Sequence, residues 1–121
     1  MIDSIRRLRQ VSDLHAQRAA ESKAIYRAAA HADAEYKRQR AKAVLRHKAT
    51  RDRMSQAEAE TRADADDQIH EAYVAKLVSA ADSESHKDVL RHLREAEPSA
   101  RTEVATEREA DRIHATRGDR P

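Results

Sequence analysis

The sequence predicts an all-α protein: a long antiparallel helical hairpin, coiled-coil-like, with a kinked or broken C-terminal helix, completed as an oligomeric bundle. Three observations carry this reading. Among the 121 residues, 25 of the 47 hydrophobic ones are Ala, leaving 17 Ile, Val and Leu, two Met, three Tyr and no Phe or Trp, too few to fill a thick core. One Gly and two Pro supply almost none of the turn chemistry that sheets need. Finally, 38% charged residues together with abundant Ala describe solvent-washed helices that meet along narrow seams.

The first element is a basic helix within residues 1–54. From Ile5 to Ala49 there is neither Gly nor Pro, and Val11, Leu14, Ile25, Ala29, Ala32, Tyr36 and Ala43 share a narrow arc at 100° per residue. The eleven-residue steps Leu14 to Ile25 and Ile25 to Tyr36 predict a nearly straight or slightly right-handed pairing rather than a heptad coil. A break follows at Thr50 to Ser55, where Ser55-Gln-Ala-Glu58 reads as a capping box. It starts an acidic helix over 55–97, whose apolar face is Ala65, Ile69, Ala72, Tyr73, Leu77 and Ala80. Reflecting the chain about position 54.5 sets Tyr36 opposite Tyr73, and the basic run beside the acidic run Glu58 to Glu71. Residues 82–85, Asp-Ser-Glu-Ser, predict a kink or restart, because such side chains compete for backbone hydrogen bonds. Pro98 predicts a helix end, then a short helix over 99–115 and a tail over 116–121.

Charge is divided unevenly. Residues 1–54 hold 14 Lys and Arg against six Asp and Glu, while 55–121 hold ten against 16, so the halves are electrostatic opposites. No Cys is present, so disulfides and thiolate metal sites are excluded. No apolar run reaches the length of a membrane span and no signal peptide is visible near Arg6, Arg7 and Arg9, which predicts a cytoplasmic chain without membrane contact.

Enzymatic chemistry finds no support. A lone Gly in the tail cannot build a phosphate loop, and paired carboxylates such as Asp66 and Asp67 lie in a solvated run that would leave their pKa values untuned. Seven His invite a metal reading, since Asp67-Gln-Ile-His70 and Asp111-Arg-Ile-His114 put acid and imidazole on one helical face. Bundle metal sites need inward carboxylates from further helices, and none conforms, so no metal or other cofactor is expected. The His are read instead as surface or seam-edge residues paired with Asp or Glu.

Two sets of binding residues stand out. Lys37, Arg38, Arg40, Lys42, Arg46, Lys48, Arg51 and Arg53 are eight cations within seventeen positions, opposed only by Asp52; they are candidates for tracking a phosphate backbone, or for neutralisation by the acidic arm. No aromatic stacking platform accompanies them. Ile25, Tyr36, Ile69, Tyr73, Leu77, Val89, Leu90 and Leu93 are candidates for self-association, with Val89-Leu90-Leu93 read as an exposed patch. Two thin helices bury little, so a homo-oligomer is expected.

The run Tyr36-Lys-Arg-Gln-Arg-Ala41-Lys-Ala43, then Ala57-Glu-Ala-Glu-Thr-Arg-Ala63, Leu90-Arg-His-Leu-Arg94 and Arg101-Thr102 resembles small helical proteins of unassigned role from tailed phages of actinobacteria, over about residues 30–108. The resemblance implies the same helix order, a place in the host cytoplasm and a phage or host protein as partner. It supplies no catalytic residue. Such relatives commonly carry a Gly at the turn, where this chain has Ala49-Thr50-Arg51. These features lead to a non-enzymatic helical phage accessory protein that binds DNA or a DNA-processing partner in recombination or replication. A structural or assembly protein, scaffold-like or virion-associated, is the alternative, and an inhibitor presenting the acidic helix Glu58 to Glu71 to a host protein is the third.

Overall fold

In the computed structural model, which describes residues 2–118, the chain is all-helical, with no strand among the described residues. Helix α1 spans Ile2–Thr50. Asp3 lies in its first turn and His47 and Lys48 in its last, each sign matching the helix dipole. A turn then reverses the chain, and Arg53 adopts φ 67°, the left-handed region that a Cβ disfavours. Arg53→Gly is therefore expected to raise stability by about 0.5–1 kcal/mol, the relief of the left-handed backbone less the added freedom of the unfolded chain. A urea midpoint that does not rise would refute it.

Helix α2 spans Gln56–Ala65. Half of the capping box forms: Ser55 Oγ accepts from the Glu58 amide at 3.1 Å. The Glu58 carboxylate turns away to Arg51 and Arg62. Asp66 is a single extended residue at ψ 133°, after which α3 spans Asp67–Gly118. The acidic helix is thus interrupted at Asp66, not at 82–85, which lies inside α3. The reason is tertiary. Ser83 and His86 are buried, and His86 Nε2 lies 2.8 Å from Ser22 Oγ, so packing outweighs the local capping preference of Asp82-Ser83-Glu84-Ser85.

Pro98 also fails to end the helix, and there is no separate helix over 99–115. Proline removes one amide donor, a cost of about 3 kcal/mol in a helix interior. Contacts on both sides hold the backbone in place: Glu97 bonds Ser12 and His15, and Ala100 and Val104 are buried. Pro98 itself is exposed, so its ring displaces solvent and not a neighbour. Residues 116–118 of the expected tail continue α3, and 119–121 lie outside the described residues.

Packing divides the chain into two units, one joining the chain up to Ser22 with that from His86 onward, the other Lys23–Ser85. In the first, partners descend along α3 as they ascend along α1. Ser4 bonds Glu107, Arg7 bonds Glu103 at 2.9 Å, Ser12 bonds Glu97 at 3.2 Å, and Ser22 bonds His86. Among the covered α3 positions, His86, Leu90, Leu93, Glu97, Ala100, Val104 and Glu107 recur at alternate steps of four and three, with Val89, Ala96 and Glu103 partly covered beside them. On α1, Ser4, Leu8, Val11 and His15 follow the same rhythm, while Leu14 is exposed. The seam therefore keeps heptad spacing, and the eleven-residue spacing that Leu14 suggested is not the one packed. Leu90 and Leu93 are only 7% and 8% exposed, so the supposed open patch is the interior of this unit.

The Lys23–Ser85 unit is built around Ala43, Val44, Met54, Ala59, Ala63 and Ile69, with Tyr36 packed against them. Ala43, Ala59 and Ala63 are fully buried. Only a methyl group lets the backbones of α1 and α2 come this close, and Ala59 and Ala63, four apart, present one stripe of α2. Tyr36 and Tyr73 meet as expected, ring centroids 5.4 Å apart and planes tilted by 55°.

Candidate functional site

The functional candidates concentrate in the Lys23–Ser85 unit, where α1 brings its cations beside the acids of α2 and early α3. Arg40 donates through Nε to Asp64 Oδ1 at 2.8 Å and through Nη2 to Oδ2 at 3.2 Å, a two-pronged contact that the planar guanidinium suits. Arg46 and His47 converge on Asp66 at 3.3 and 2.9 Å, and Arg51 reaches Glu58 at 3.1 Å. Lys37 and Arg38 pair within α1, with Asp33 at 3.0 Å and Glu35 at 3.6 Å. Five of the eight cations thus hold the chain's own carboxylates. Lys42, Lys48 and Arg53 make no ion pair among the described residues.

The carboxylates register these partners. The hydrogen bond from Arg40 holds Asp64 below the usual carboxylate range, against an opposing effect of burial, and the same bond raises Arg40. His47 does the same for Asp66, with Arg46 assisting. Asp33 is lowered first by Lys37 and also by Lys76, whose ammonium lies 3.3 Å from it and 5.0 Å from the centroid of the Tyr36 ring.

Lys76 explains why the apolar face read from the sequence is rotated. The covered α3 positions of this unit are Ile69, Ala72, Lys76, Ser79 and Ser83. Leu77, expected on the seam, is instead 48% exposed, together with Val74 and Val78, and Tyr73, though it meets Tyr36, stays 41% exposed. Between Glu71 and Asp82 the sole charge is Lys76, and it is turned inward, so the outward side of nearly three turns is uncharged. Of the eight self-association candidates, Ile69, Leu90 and Leu93 are buried, and Ile25, Tyr36 and Val89 are partly covered. Only Tyr73 and Leu77 present large apolar area to solvent.

Three exposed apolar residues of this unit escaped the sequence reading. Val74 and Val78 flank Leu77, and on α1 Leu45 is 67% exposed. For the two valines the available signal was the missing outward charge between Glu71 and Asp82. Leu45 edges an open groove between α1 and α2, lined also by Tyr36, Lys37, Arg40, Ala41, Val44, Gln56 and Glu60.

Three of the seven histidines are engaged as hydrogen-bonding groups of the seams: His15 with Glu97 at 2.9 Å, His47 with Asp66, and His86 with Ser22. Among the described residues no group of three or more His, Asp, Glu or Cys is placed to hold a metal ion. Nor is any described helix long and apolar enough to cross a membrane. Comparison of the chain with protein-family models, curated proteins and solved structures gives no match.

Proposed function

We propose that the protein is a non-enzymatic helical assembly element that works by protein–protein contact, its chain folded back as an antiparallel hairpin. The opposite running of partners within each unit supports the hairpin. One observation carries the function: the cations offered for phosphate are largely engaged by the chain's own acids, while α3 keeps an uncharged, partly apolar outward face at Tyr73, Val74, Leu77 and Val78. Contiguous exposed apolar surface on a small protein marks an interaction site. An assembly role of this kind fits the structural alternative drawn from the sequence.

DNA contact is the second reading, favoured by Lys42, Lys48 and Arg53, which make no ion pair among the described residues. The two separate in solution. Under the assembly reading, sedimentation gives a mass above the 13.7 kDa of one chain. Binding to a short duplex at about 150 mM salt is then weak, and Lys42→Glu with Lys48→Glu changes it less than threefold. A single-chain mass together with duplex binding that falls steeply with salt and is lost in that double variant would overturn the assembly reading in favour of DNA.

A further inference from the structure

We infer that the occupant of the α3 outward face is a second copy of this chain, seated through the Leu45 side of its α1. The inference rests on the assembly reading and names its partner. The α3 face is apolar at its centre and acidic at both ends, with Asp67 and Glu71 before Tyr73, and Asp82 and Glu84 after Val78. Pairing this face with its own copy, in either direction, sets acids against acids. On the outward side of α1 the pattern is reversed. Leu45 stands between Lys42 and Lys48, each three residues away, and neither Lys makes an ion pair among the described residues.

The groove that Leu45 edges offers Tyr36, Ala41 and Val44 to Leu77 or Val78 as a knob, with Lys37, Arg40, Gln56 and Glu60 completing its lining. Charge complementarity thus selects α3 on α1 over α3 on α3. Because the two surfaces differ, the contact is heterologous: each copy offers one face and receives on the other, so copies add head to tail into rings or open chains.

The test is complementation with the full chain, read as mass by sedimentation or light scattering. Wild type grows in mass with concentration. Leu77→Lys blocks the α3 face and Leu45→Glu blocks the α1 face, so each variant alone sediments as one chain, with association at least tenfold weaker. Mixed together, they retain one intact surface each and give a complex of two chains that grows no further. Circular dichroism checks that helicity is kept; if either variant loses it, Val74→Lys and Ala41→Glu take their places.

A mixture that stays monomeric, or a Leu45→Glu variant that assembles as wild type does, overturns the inference. The second outcome leaves the assembly reading standing, with α3 meeting α3. Wild type that remains a single chain at every concentration overturns both.

Discussion

Leu93→Asp is expected to unfold the unit that joins the chain up to Ser22 with that from His86 onward. Leu93 is 8% exposed, one turn before Glu97, whose carboxylate is already shared by Ser12, His15 and Arg101. Truncating a buried Leu costs about 2–5 kcal/mol, and a carboxylate put in its place adds desolvation and repulsion from Glu97. A protein of this size is held by about 5–15 kcal/mol in all, so the loss reaches the scale of the total. Loss of amide protection over 86–107, and of part of the helical dichroism, is the expected signature. Leu77→Lys, at an exposed site, changes stability by about 0.5 kcal/mol or less. Were Leu93→Asp to melt as wild type while altering only the association state, Leu93 would face another copy and the seam assignment would fall.

Acid is expected to be the second large perturbation. Asp33, Glu35, Asp64, Asp66, Glu97 and Glu107 are all lowered, the leading causes being hydrogen bonds from Lys37, Gln39, Arg40, His47, His15 and Ser4 respectively. A carboxyl whose folded pKa lies below its unfolded value contributes stability that is present above the unfolded value. That contribution is lost as pH falls through the folded one. With ordinary values of 3.8 for Asp and 4.5 for Glu, the loss begins at about pH 4.5 and deepens below 3.8. Once the acids are neutral, 24 Lys and Arg and seven His repel one another without compensation. Melting temperature should fall steeply between about pH 4.5 and 2.5, and added salt should partly restore it by screening. A flat profile over that interval would show that these pairs contribute nothing to the folded state.

Much of the arrangement was legible in the chain itself. The Ser55 cap, the Tyr36 to Tyr73 contact and the pairing of basic with acidic arms follow from spacing and charge, which report directly on helix faces. What stayed hidden was the identity of the seam. Hydrophobic periodicity finds a stripe only where that stripe is greasy, and here Ser4, His15, Lys76, Ser83, His86 and Glu97 occupy covered positions. Following the larger apolar residues instead led to Leu14 and Leu77, which face out, and to Tyr73, which meets Tyr36 but keeps its other side in solvent. The same blindness made Leu90 and Leu93 look like a loose patch, since the polar residues that continue their rhythm gave no sign that a partner covered them. Asp66 was missed for another reason. A one-residue interruption carries no Gly or Pro, and the contacts that hold it, from Arg46 and His47, come from far along the chain.

The polar residues threaded through the Ser4 to Glu107 seam have a consequence for how the two strands of helix keep their alignment. Sliding one past the other by seven positions would exchange few aliphatic groups, because so few are there. It would, however, part Glu107 from Ser4 and Glu97 from Ser12 and His15, leaving Glu97 only the Arg101 of its own helix. Correct alignment is thus enforced chiefly by what misplacement leaves unsatisfied, so a seam with weak grip still has only one comfortable setting.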